Sequence, residues 1–131
     1  MGVTAMLKDV DVQPMLPVKD LGVAERFYEK ILGLKKVGGM PGEASVYASG
    51  ATKVCVYRSD FAGTNKGTAA LWEVKDVDAT AKELRSHGVA FEHYDKMPGL
   101  SRKGDVYHAD GMAVAWFKDP DGNILSIQSH A

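Results

Sequence analysis

The sequence predicts an α+β protein built from two tandem βαβββ modules, and three observations carry that prediction. Val18-Lys19-Asp20-Leu21 recurs 56 residues later as Val74-Lys75-Asp76-Val77. Each copy opens a helical pattern that a glycine closes. Short strand-like runs, parted by Gly and Pro, flank both helices. A unit of roughly 55 residues present twice is too long for most solenoid repeats and too few for an array, so it reads as a pseudo-two-fold pair. The lesser alternative is chance recurrence of a common helix entry.

In chain order, Asp11 to Pro17 reads as the first strand. Asp20 is placed to cap the helix that follows, because a short carboxylate accepts the unpaired first-turn N–H groups. Val23, Phe27 and Ile31 recur at i, i+4 and i+8, with Ala24, Tyr28 and Leu32 beside them. Gly33 ends the helix, since glycine enters the left-handed region without a Cβ clash. Strands follow at 34–38, 45–48 and 53–57. Residues 61–67 form the joint, so module one spans about 9–60 and module two about 68–128 of one 131-residue domain. The second module reads as strand 68–74, a helix capped by Asp76 and ended by Gly88, then strands at 89–93, 105–107, 112–118 and 124–128. Asp119-Pro120-Asp121-Gly122-Asn123 is a hairpin turn rather than a calcium loop, because the spaced ligands and terminal Glu are missing.

Composition bounds the function. Sixteen Lys+Arg against 17 Asp+Glu leave a formal charge of −1. With no basic cluster to displace counterions, nucleic acid is not an expected partner. No apolar run approaches the roughly 20 residues that cross a bilayer, and Met1 to Met6 carries neither a leader pattern nor a myristoylation signal, so a cytoplasmic, non-membrane protein is expected. The single cysteine, Cys55, fits a reducing compartment.

Leu16-Pro17-Val18-Lys19-Asp20-Leu21, then Phe27-Tyr28-Glu29-Lys30-Ile31-Leu32-Gly33-Leu34, resembles the opening of vicinal-oxygen-chelate proteins. These include glyoxalase I, bleomycin-resistance proteins, extradiol dioxygenases and methylmalonyl-CoA epimerase. Trp116-Phe117-Lys118-Asp119-Pro120-Asp121-Gly122-Asn123-Ile124-Leu125 resembles their closing hairpin, and the likeness runs from about Val10 to Gln128. It implies the glyoxalase/bleomycin resistance/dioxygenase fold, in which the modules curl a mixed sheet into a cup-shaped pocket, commonly completed in a homodimer. Such motifs report the scaffold better than the substrate.

In metal-dependent relatives, the first and last strands of each module carry the ligands. By the resemblance, those positions fall on Gln13, Cys55 (or neighbouring Val54 or Val56), Ala69 and Ser126. With no imidazole or carboxylate among them, neither a metal nor any other cofactor is expected. Strand parity adds Met15, Tyr57, Leu71, Ile124 and Gln128 to the same faces. Trp116 and His108 are expected near the mouth, with residues 94–111 as a lid. The bland reading is that these side chains fill a core, and that Cys55 is a small buried residue rather than a nucleophile. His87, His93 and His130 read as surface groups, and Asp105 with His108 is the one acid/base pair considered.

The leading expectation is a metal-independent binder of a small organic molecule, lined by Gln13, Met15, Cys55, Tyr57, Ala69, Leu71, His108, Trp116, Ile124 and Ser126, with sequestration or resistance as its role. Standard metal-dependent glyoxalase or dioxygenase chemistry is not expected. The rivals are a lyase, isomerase or dioxygenase with a displaced metal, a metal-free catalyst using His108, and a structural dimer with a vestigial pocket. Bleomycin is a poor candidate ligand, because it is cationic and this chain is nearly neutral.

Overall fold

The computed structural model describes residues 7–94 and 97–130. The leader readings on Met1 to Met6, and the lid reading at 95 and 96, lie outside the described residues. After a 3-10 turn at Leu7–Asp9 come β1 (Met15–Val18), α1 (Leu21–Glu25), β2 (Lys35–Met40), β3 (Ala44–Ser49) and β4 (Thr52–Arg58). These strands form a sheet in the order β1-β4-β3-β2, with β1 parallel to β4. Asp20 caps α1 as its spacing predicts, its Oδ1 accepting from the Val23 N–H at 3.1 Å. From Arg26 to Ile31 the helix widens into π geometry, and the Leu32 N–H bonds the Phe27 carbonyl at 3.0 Å. Leu21, Ala24, Phe27 and Tyr28 are buried, whereas Val23, expected in the apolar row, is 40% exposed. A π turn takes an extra residue, so a strict 3.6-residue count does not describe this stripe.

The second module comprises β5 (Thr68–Glu73), α2 (Val77–Ser86), β6 (Phe91–Glu92), β7 (Ser101–Lys103), β8 (Val106–Ala109), β9 (Met112–Lys118) and β10 (Ile124–His130). Asp76 caps α2 through the Ala79 N–H at 3.0 Å. The sheet runs β5-β10-β9-β8-β7, with β5 parallel to β10. β6 and the β7–β8 hairpin share the outer edge of β9, where module one has the single strand β2. β7 is polar and fully exposed, which is why no apolar alternation announced it.

Leu16, Val18, Tyr28, Tyr47 and Val56 from module one share one buried cluster with Val77, Ala81, Phe117, Leu125 and Ile127 from module two. The β9–β10 turn fastens the halves. Asn123 Nδ2 donates to the Pro17 carbonyl at 2.8 Å, Asp121 Oδ1 accepts from the Lys19 N–H at 3.0 Å, and Tyr28 donates its hydroxyl to Asp119 Oδ2 at 2.7 Å. Gly63 in the joint packs so closely on the Asp121 carbonyl that a Cβ there would collide with it. Asp119 Oδ1 accepts from the N–H groups of Asp121 and Asn123 at 2.9 Å each, the work of a turn rather than of a cation loop. No helix among the described residues is long and apolar enough to cross a membrane.

Candidate functional site

Strand pairing sorts the expected site residues into two groups, one per sheet. In the first sheet Met15 pairs with Cys55 and Pro17 with Tyr57, while Leu16 and Val56, one residue on, belong to the core. Met15, Cys55 and Tyr57 therefore share the face away from the core. Met15 is 55% exposed, and Cys55 is buried beneath it. Gln13 is exposed in the segment before β1, outside any strand.

In the second sheet Ser126 pairs with both Leu71 and Trp116, so β5, β9 and β10 bring these three to one face together with Ile124. Ala69 is displaced from that row. The β5–β10 register shifts between Ile124 and Leu125, so that Thr68 pairs with Ile124 and Ala70 with Leu125, leaving Ala69 as the extra residue, packed against the core. Thr68 takes the place expected of Ala69, and its Oγ1 accepts from the Trp116 indole N–H at 3.2 Å.

Around Trp116 stand two aromatic rings that the sequence reading did not assign to the pocket lining. Tyr94 and Tyr107 meet Trp116 edge to face, with centroids 5.5 and 5.3 Å away. Tyr107 is held in place because its hydroxyl accepts from the Tyr94 N–H and donates to the Tyr94 carbonyl. Both tyrosines fell in the segment read as a lid, and only the pairing of Tyr107 with Val114 assigns a face to that segment. A cavity of about 200 Å³ opens here, lined by Lys66, Gly67, Thr68, Tyr94, Met97, Trp116 and Ile124. The hydroxyls of Tyr94 and Ser126 are buried and have no hydrogen-bond partner among the described residues. Burial first, then the Glu92 charge, pushes the Tyr94 phenol above its ordinary range and keeps it a neutral O–H donor.

His108 departs from its expected place. It pairs with Ala113 on the face opposite Tyr107 and Trp116, in an open hollow beside Ser101, Asp110 and His130. Asp105 bonds His93 Nε2 at 2.7 Å and Arg85 Nη1 at 2.8 Å, so the acid/base pair considered with His108 is replaced by a surface ion cluster. Adjacent strand residues face opposite ways, which separates Tyr107 from His108 despite their adjacency in sequence.

The residues to which the resemblance assigned the metal positions are not the ligand types that a divalent metal favours. They are an exposed amide at Gln13, a thiol at Cys55 that burial pushes up and away from thiolate, a methyl at Ala69 and a hydroxyl at Ser126. Among the described residues no three His, Cys, Asp or Glu side chains come together as a ligand set.

A family model described as the Glyoxalase/Bleomycin resistance protein/Dioxygenase superfamily matches residues 12–127. Among solved structures, the chain is similar to a lactoylglutathione lyase from Agrobacterium tumefaciens, with 19% identity, a TM-score of 0.68 and 92% of each chain covered. It is also similar to an antibiotic binding protein from Streptomyces sp. CB03234, with 22% identity, a TM-score of 0.64, and 100% of this chain and 99% of that one covered. A third is a glyoxalase/dioxygenase from Nostoc punctiforme, with 15% identity, a TM-score of 0.68, and coverage of 100% and 98%. At these identities the likeness establishes the fold. No curated protein matches the chain.

Proposed function

The chain belongs to the Glyoxalase/Bleomycin resistance protein/Dioxygenase superfamily, and from that premise we propose that it binds a planar organic molecule without a metal, in sequestration or resistance rather than catalysis. The observation that carries this reading is the pair of buried hydroxyls of Tyr94 and Ser126, without a partner among the described residues, on the face walled by Trp116. A buried hydroxyl with no partner costs about 1–3 kcal/mol, and a ligand or water that bonds it recovers much of that. Trp116 is only partly buried, so its indole offers aromatic area against which a flat ring system packs. The residues supply neutral hydrogen-bond donors and apolar area, a lining suited to holding a molecule rather than transforming it. The antibiotic binding protein of the same fold is in keeping with this.

The 200 Å³ hollow is smaller than the roughly 300–1,000 Å³ of drug-sized sites, so it is one wall of a cup. The other wall is the Met15, Cys55 and Tyr57 face of a second copy. β1 and β5 are both sheet edges, and Met15 and Leu71, at 55% and 47% exposure, are apolar surface that a homodimer would cover. Nucleic acid and membrane are not partners in this reading, and the protein works in the cytoplasm.

Thermal shift against a panel of planar quinone and polyketide antibiotics, with Trp116 fluorescence as a second readout, tests the assignment. A true ligand at about 100 times its Kd adds about 2.7 kcal/mol of stability, and Trp116→Ala abolishes that gain. A ligand whose effect survives Trp116→Ala in a folded protein refutes the site.

A further inference from the structure

A larger cavity lies elsewhere, between the modules. It holds about 390 Å³, is partly open to solvent, and is walled by Leu32 and Leu34 in the turn that leads from the helix to β2, Trp72 of β5, Leu84 of α2, and Phe117 and Ile127 of β9 and β10. None of these residues belongs to the Ser126 and Trp116 face. Phe117 and Ile127 alternate with Trp116 and Ser126 along their strands and so point the other way. Trp72 closes one side by donating its indole N–H to Ser49 Oγ at 2.9 Å, joining the two halves across the opening.

We propose that this cleft is a second binding site, for a compact, neutral, apolar bicyclic molecule carrying one hydrogen-bond acceptor. The volume sets the size. An engineered apolar cavity of about 150 Å³ stays dry and binds benzene, and this one is more than twice as large. The lining sets the chemistry, because Lys35 is the one charged residue on it and the rest are apolar or neutral. Lys35 pairs with Ala48 on β3 in the row of Lys53, whereas the adjacent Lys36 bonds Glu25 on the helix side, so the Lys35 ammonium belongs to the outer face. A buried ionic group would find no counter-charge here, which disfavours acids and amines. Thr80, on α2, and Ser49, whose oxygen accepts from Trp72 and whose own proton has no acceptor among the described residues, are the groups that can donate to a ligand's acceptor. Sites between structural units are common places for such pockets.

In this 131-residue chain the Trp116→Phe variant leaves Trp72 as the only tryptophan, so its emission reports on this cleft apart from the other site. Titration with camphor, a neutral bicyclic ketone, is expected to shift that emission saturably, while camphorsulfonate, the same skeleton with a charge, binds at least about tenfold more weakly. Leu84→Phe or Thr80→Met in the same background, each folded by circular dichroism, fills the space and weakens camphor about tenfold or more. Having two filling variants guards against one that fails to fold. No saturable shift up to the solubility of camphor, equal binding of camphorsulfonate, or unchanged affinity in both filled variants would overturn the proposal. Each of these outcomes leaves the Trp116 reading untouched, because that site has been altered in every arm.

Discussion

Replacing Asp119 with Ala tests whether the closing turn holds the two modules together. The carboxylate is 5% exposed and accepts four hydrogen bonds: Tyr28 Oη at 2.7 Å, Asn123 Nδ2 at 2.8 Å, and the N–H groups of Asp121 and Asn123 at 2.9 Å. Asn123 Nδ2 keeps the Pro17 carbonyl, and the half-exposed Asp121 N–H is accessible to water. The Tyr28 hydroxyl and the Asn123 N–H, both on residues at most 1% exposed, are left without an acceptor. At about 1–3 kcal/mol for each of the two orphaned buried donors, Asp119→Ala costs about 2–6 kcal/mol, a large share of the 5–15 kcal/mol that holds a typical domain. Tyr28→Phe removes one donor and leaves Asp119 three, so it costs about 1–2 kcal/mol.

Urea titration of the wild type, both single variants and the double variant forms a cycle. The double variant is expected to be less damaging than the sum of the singles, because Tyr28 and Asp119 share one bond. There is also a signature in pH. Burial, reinforced by Asp119, raises the Tyr28 pKa far above its ordinary value near 10. The stabilisation is then complete below pH about 10 and is lost as pH rises beyond it, because the unfolded tyrosine ionises and the folded one does not. Tyr28→Phe flattens that alkaline decline. A cost below about 1 kcal/mol for Asp119→Ala, with additive singles, would refute the role of the turn as the fastening between modules.

Ser126→Ala removes a buried hydroxyl that has no partner among the described residues, and is expected to raise the stability of the ligand-free protein by up to about 1 kcal/mol while weakening ligand-induced stabilisation in thermal shift. Asp105→Asn breaks the contacts to His93 and Arg85. The His93 hydrogen bond, ahead of Arg85, holds the Asp105 pKa below its usual 3.8, so its contribution is present above that pH and fades as pH falls further. The variant loses about 0.2–1 kcal/mol at neutral pH and shows a shallower acid decline in calorimetry, because the partners are partly exposed. Dialysis against a chelator leaves the melting temperature unchanged, with less than about one tenth of a transition metal per chain by elemental analysis, since Gln13, Cys55, Ala69 and Ser126 make no ligand set. If the proposed homodimer forms, light scattering is expected to give about twice 14.1 kDa, and Met15→Glu with Leu71→Glu to lower it toward one chain.

What the sequence alone determined is local. Asp20 and Asp76 cap their helices, Gly33 and Gly88 take positive φ of 75° and 95°, and Asp119 to Asn123 forms a turn. Each of these follows from a donor, an acceptor or a missing Cβ within a few residues, and the repeat shows that the arrangement occurs twice. Parity within one strand was equally legible, so Cys55 and Tyr57 share one face of β4, and Ile124 and Ser126 one face of β10. The tertiary structure decided what passes between strands distant in sequence. A one-residue register shift exchanges Thr68 for Ala69 beside Trp116, and pairing with β9 sends Tyr107 to the site and His108 away from it. It also gives Asp105 to His93 and Arg85, and brings Tyr94 against Trp116. Because side chains alternate at every residue, a single step in register reverses what a strand presents, and that step is set by partners that no local pattern names.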